Sequence, residues 1–142
     1  MNSQGRTKGT TGQAQALTER DIEIIKRSIK GGDNPHQVVR NMGIFILSNW
    51  LGLRSKELAA LKVKDVYENG KVKDTLRLLA GYTKGEKHRD LALANPEVIK
   101  AIRVTVVAQE EQYHRINPES PLFRSNRGSS FSANSMRRVL KT

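Results

Sequence analysis

Gly52-Leu53-Arg54-Ser55-Lys56-Glu57-Leu58-Ala59-Ala60-Leu61-Lys62-Val63-Lys64-Asp65-Val66 is the stretch on which the reading of this chain turns. Upstream of it the apolar residues recur at helical spacing; Gly52 closes that pattern as a left-handed helix cap. Ser55 reads as the N-cap of a following helix, Lys56 to about Lys62, which puts Arg54 at a helix-to-helix corner. Beyond Asp65 the pattern changes. Val66-Tyr67, the turn signal Glu68-Asn69-Gly70 and a strand from Val72 to Leu79 predict a hairpin. Asp65 reads as structural, stabilising the turn between helix and sheet through side-chain to backbone bonds.

Working outward, Thr18 caps a helix with acids in its first turn and Ile22, Ile25 and Ile29 on one stripe; Gly31-Gly32 stop it. Asn34-Pro35 opens a second helix, since Asn caps well and Pro is preset for the first helical position. Val38, Val39, Met42, Phe45, Ile46 and Trp50 cover so much of its circumference that it reads as the buried central helix, with Phe45 and Trp50 in the core. Downstream, Tyr82-Thr83 and Arg89 to Leu93 are strand segments flanking the polar turn Lys84-Gly85-Glu86-Lys87-His88. Asn95-Pro96-Glu97 launches a helix to about His114. Pro118 and Pro121 mark an extended connection, Leu122-Phe123 a short buried segment, Asn126-Arg127-Gly128 a turn, and Ser132 the cap of a last helix with Met136, Val139 and Leu140 facing inward. Residues 1–16, rich in Gly, Ser, Thr and Gln, bury too little apolar surface to offset their ordering entropy and read as a flexible basic arm. The expected architecture is mainly α with a small antiparallel β-sheet, an α+β domain over residues 17–142.

A chain of 142 residues with 37% hydrophobic and 27% charged residues has the makeup of one soluble globular domain. No apolar run approaches the roughly 18 residues needed to span a bilayer, and the start lacks a signal-peptide apolar region, so the expected location is the cytoplasm. Cysteine is absent. Disulfides, thiol nucleophiles and thiolate metal sites are therefore excluded, and His36, His88 and His114 lack metal-ligand spacing. The 25 Lys and Arg against 14 Asp and Glu leave a net charge of +11, which makes a polyanion the natural partner. The basic residues Arg124, Arg127, Arg137, Arg138 and Lys141 fall in the last 23 residues without a single acid.

The run from Gly52 to Val66 resembles the first conserved box of the tyrosine recombinases, the phage-integrase family: Gly-Leu-Arg-x-x-Glu-Leu, then Leu and Asp at set spacing. Leu51 stands where that family often has Thr. Thr83-Lys84-Gly85-Glu86-Lys87-His88-Arg89, followed by Leu91 and Leu93, is similar to the family's lysine hairpin. Leu122-Phe123-Arg124-Ser125 and Phe131 to Leu140 are similar to the segment that precedes its second box. The resemblance covers residues 17 to 142, in order. It implies double-stranded DNA as the partner and a phosphotyrosyl mechanism of strand breakage and rejoining. Arg54 would stabilise charge on the scissile phosphate, where a planar guanidinium bonds two oxygens at once. Glu57, three residues on, would orient that guanidinium while also standing as a favourable acid at a helix N-terminus. Lys84 would donate a proton to the departing 5′-oxygen, with Lys87 on the same turn as the competing candidate. Lys87, Arg89, Arg137 and Arg138 would contact phosphates, which position the duplex without reading bases. No metal or other cofactor is expected.

The family's second box and its tyrosine nucleophile lie beyond the basic helix, where this sequence ends, and Tyr67, Tyr82 and Tyr113 fall in the wrong segments to replace the nucleophile. The expectation is the N-terminal portion of an integrase-like catalytic domain, inactive alone. It would be monomeric in solution, while the full-length family assembles as multimers on DNA. The alternative is a non-catalytic DNA-binding or regulatory remnant of an integrase.

Overall fold

The computed structural model describes residues 18–78, 89–125 and 131–141, with the side chains of residues 133, 134, 137 and 141 excepted. Among these residues four helices, four short strands and two further helices follow in order: α1 (Glu19–Lys30), α2 (Pro35–Leu51), α3 (Ser55–Ala60), α4 (Val63–Val66), β1 (Tyr67–Glu68), β2 (Lys71–Val72), β3 (Thr75–Leu78), β4 (Arg89–Ala92), α5 (Pro96–Tyr113) and α6 (Ala133–Lys141). The arm expected over residues 1–16, the Tyr82-Thr83 strand, the Lys84 turn and the Asn126-Arg127-Gly128 turn lie outside the described residues.

The helix starts follow local side-chain chemistry. Thr18 Oγ1 accepts from Asp21 N at 3.0 Å while Asp21 Oδ2 accepts from Thr18 N at 3.2 Å, a reciprocal capping box. Asn34 and Asn95 each use Oδ1 to accept two backbone N–H groups, directly before a Pro at the first helical position. Gly52 ends α2 in the left-handed region at φ 66°.

α2 and α5 run side by side as the centre of the molecule, and α1 covers α2 on another side. Gly43 makes the closest approach possible: a Cβ there would lie 2.8 Å from Thr105 Oγ1 and 2.9 Å from Phe123 Cε1. Ile44, Leu47, Leu58, Leu61, Val66, Leu76, Val98, Ile102, Val106, Leu122, Phe123 and Met136 close the core with almost no exposure. The amphipathic α6 rests on α3, burying Met136 and half-burying Val139 and Leu140.

Four expectations need correction. The strand expected from Val72 to Leu79 is two strands. β1 and β2 close a tight hairpin through Asn69 and Gly70, both at positive φ (56° and 80°), as a type I′ turn requires. The chain then breaks at Lys73-Asp74, and β3 pairs instead with β4 in the register Thr75↔Ala92 to Leu78↔Arg89. Two small antiparallel sheets result where one was expected. Ser55 is the first residue of α3, not its cap; the N-cap position is Arg54. Asp65 accepts from Lys62 N at 2.8 Å, so it caps the short helix α4 ahead of the hairpin rather than holding the helix-to-sheet turn. Trp50 is not in the core: it is 49% exposed, with its indole N–H donating to Glu97 Oε1 at 2.8 Å. Phe45, by contrast, packs against the core.

Candidate nucleic-acid interface

Arg54 occupies the corner between α2 and α3 because both helices end their regular backbone there. Gly52 turns the chain out of α2, buried Leu53 anchors it, and Arg54 enters α3 with extended dihedrals (φ −81°, ψ 161°). Its side chain is exposed, and among the described residues its guanidinium makes no ion pair or hydrogen bond. The backbone, not the side chain, is what is fixed. Arg54 N donates to Glu57 Oε1 at 2.9 Å, and Arg54 O accepts from Leu58 N at 2.8 Å.

Glu57 is 1% exposed, which is rare for a carboxylate unless it is bonded. Its Oε1 takes two donors, the Arg54 amide and Arg89 Nη2 at 3.4 Å, while Oε2 is buried without a hydrogen-bond partner. The expectation that Glu57 orients the Arg54 guanidinium is thereby refined: it holds the Arg54 backbone. Arg89, whose side chain keeps 39% exposure, leans on Glu57 as the first residue of β4.

That contact has a topological consequence. The last described pair of the β3–β4 ladder is Leu78↔Arg89, which lies where Arg89 touches Glu57. One carboxylate oxygen therefore ties the Arg54 corner to Arg89 at the start of β4. Lys84 and Lys87 themselves lie outside the described residues. Beside this corner, α6 packs on α3 and carries Arg137 and Arg138; the Arg138 side chain is exposed, and that of Arg137 lies outside the description. Farther along the ladder, Arg77 and Asp90 form an exposed two-bond pair (2.9 and 3.2 Å) across the strands, which raises the Arg77 pKa above its ordinary value.

No protein-family model and no curated protein sequence matches this chain.

Among the described residues no group of three or more His, Asp and Glu could hold a metal, and no helix is long and apolar enough to cross a membrane. Chemically, the corner can offer an oxyanion a planar fork that is unengaged among the described residues, on a backbone held by two hydrogen bonds. Two clusters escaped the sequence reading. Lys26, Trp50 and Glu97 meet from three helices, with Lys26 Nζ and Trp50 Nε1 both donating to Glu97. Arg40 and Arg124 meet beside α5, where the Arg40 guanidinium donates to the Arg124 carbonyl at 3.2 Å. Separations of 47 to 84 residues leave no local signal for either.

Proposed function

We propose that this chain is the N-terminal portion of a tyrosine-recombinase-like catalytic domain, that it acts in the cytoplasm, and that it binds duplex DNA with Arg54 on a backbone phosphate. In this reading Lys84 is the general acid for the 5′-oxygen, and Lys87, Arg89, Arg137 and Arg138 position the duplex. The observation that carries it is the exposed guanidinium of Arg54, unengaged among the described residues, on a backbone held by a buried carboxylate. That same carboxylate meets Arg89, which follows Lys84 by five residues in the sequence. A purely structural corner arginine would spend its fork on nearby carbonyls or acids. Charge supports the same partner: +11 overall, with a basic helix packed against the corner.

The test compares a labelled DNA duplex with a structured RNA of equal length in anisotropy titrations at several salt concentrations. Preference for the duplex, weakened by Arg54→Ala, is the expected result; a clear preference for RNA removes the recombinase reading. A suicide-substrate assay on the same 142-residue polypeptide probes its chemistry. No covalent protein–DNA adduct is expected, because none of its tyrosines occupies the nucleophile's segment, and an adduct would overturn that part of the proposal.

A further inference from the structure

Gly52 is the least supported point of the chain leading to Arg54: it is exposed, sits at φ 66°, and beyond its chain neighbours no described atom lies within 4 Å of where its Cβ would be. With no packing at that residue, the corner takes its position from what is fixed on either side. Downstream, the fixed points are buried Leu53 and the Arg54 amide on Glu57. Upstream, in the last turn of α2, the fixed point is Trp50. Ring burial is not what Trp50 supplies, since it stays 49% exposed. It supplies an N–H at the end of a rigid side chain, 2.8 Å from Glu97 Oε1, and among the described residues this is the one side-chain hydrogen bond made by residues 48–51. Glu97 is anchored in turn. Its amide donates to Asn95 Oδ1 at 2.8 Å, the next residue, Val98, is fully buried, and its Oε2 accepts from Lys26 Nζ of α1. The Lys26 bond holds the Glu97 carboxyl below its ordinary 4.5, so at neutral pH the indole meets a charged acceptor, and such a bond is roughly twice as strong as a neutral one.

We infer that Glu97 is a positioning residue for Arg54: through the Trp50 indole it fixes the end of α2, and with it the place from which the Arg54 guanidinium meets a phosphate. The inference rests on the proposed seat of a DNA phosphate at Arg54 and adds to it a residue of another helix that does not bond Arg54 itself. Three helices share the task. α5 supplies the carboxylate, α1 supplies the Lys26 charge that holds it in place, and α2 carries the constraint to its last turn, just before the corner. Two carboxylates thus bracket Gly52, Glu97 acting on the residue two before it and Glu57 on the residue two after. Bidentate bonding of phosphate oxygens by a planar fork has exacting geometry, so a shift of the backbone that carries the fork weakens the contact without removing any charge. Loss of the indole bond should therefore lower affinity for DNA while the number of cations facing it stays the same.

The test is the affinity of the intact chain for a labelled DNA duplex, read by anisotropy at a temperature below the Tm of every variant. Trp50→Phe keeps a ring and removes the donor. It should weaken binding about threefold to tenfold, and by less than about twofold once Arg54 is already Ala, because the loss runs through Arg54. Glu97→Gln and Glu97→Met remove the same charge, so any general gain in attraction for DNA is common to both. Gln keeps an acceptor for the indole, and that variant should bind the duplex about threefold or more tightly than the Met variant. Full additivity of Trp50→Phe with Arg54→Ala, or equal affinity of the two Glu97 variants, overturns the inference and leaves the Arg54 seat standing. An Arg54→Ala variant that binds the duplex as the parent does removes the seat itself, and the inference with it.

Discussion

Arg54 and Glu57 divide one task, the first presenting a charge to solvent and the second fixing the backbone that presents it. Truncating an exposed side chain without an intramolecular partner rarely moves stability by more than about 0.5 kcal/mol, so Arg54→Ala should unfold at nearly the same denaturant midpoint as the parent. Its effect belongs on DNA. Arg54→Lys keeps the charge but loses the planar fork, so it should retain the salt dependence of binding at a lower affinity. Glu57→Ala should behave in the opposite way. It removes the acceptor for the Arg54 amide and opens a void beside Leu58; the bond to the partly exposed Arg89 adds little. A loss of about 2–3 kcal/mol is expected in urea denaturation, against about 1 kcal/mol for Glu57→Gln, which keeps an acceptor at Oε1. Equal costs for the two substitutions would show that the negative charge, which both remove, and not the volume or the amide acceptor, is what Glu57 supplies.

Packing between elements puts Gly43 and Glu97 under different demands. Ala is the better helix former by up to about 1 kcal/mol, but at position 43 its Cβ would meet Thr105 Oγ1 and the Phe123 ring at under 3.0 Å, and both are buried. Gly43→Ala should therefore cost about 1–3 kcal/mol, measurable as a lower Tm, because α2 and α5 would have to separate. Glu97 ties α5 to α1 and α2. Its pKa is held below the ordinary 4.5 chiefly by the Lys26 bond and further by the Trp50 indole, against an opposing contribution from burial. A depressed folded pKa means that the stabilisation is complete above the unfolded value. It is lost as pH falls below 4.5 through the folded one. With a third of the side chain exposed, the effect should be only about 0.5–1 kcal/mol. Glu97→Gln should flatten that part of the stability profile between pH 6 and 3, with Trp50 fluorescence as the probe. Elements whose cause is local were legible in the sequence: the Thr18, Asn34 and Asn95 caps, the Gly52 stop and the Asn69-Gly70 turn. Trp50 was misread because its apolar ring fitted the helical period, while its partner Glu97 lies 47 residues away.

Across the whole molecule, the fold class was readable from periodicity, but the split into two sheets was not. Nothing in Lys73-Asp74 announces that Lys73 N turns back to Val66 O while Asp74 O is taken by Leu93 N. The Arg54 corner was legible because its motif is contiguous. The Glu57–Arg89 contact, spanning 32 residues, was not. The proposed DNA surface can nevertheless be counted. Arg54, Lys84, Lys87, Arg89, Arg137 and Arg138 are six cations, of which Arg89 already shares Glu57 and should be discounted. The five that remain give a slope of log K against log salt of about −4.5 on B-DNA. Each single substitution to Ala at Arg54 or Arg138 should make that slope shallower by about 1, uniformly across DNA sequences, since phosphate contacts carry no base information. The net +11 alone cannot mimic this: diffuse charge attracts DNA, but removing one distant cation from it would leave the count of released counterions unchanged. An exposed cation outside these six, such as Arg20 on α1, is therefore the control. If Arg20→Ala lowers the slope as much as Arg54→Ala does, the duplex has no fixed seat on the α2–α3 corner.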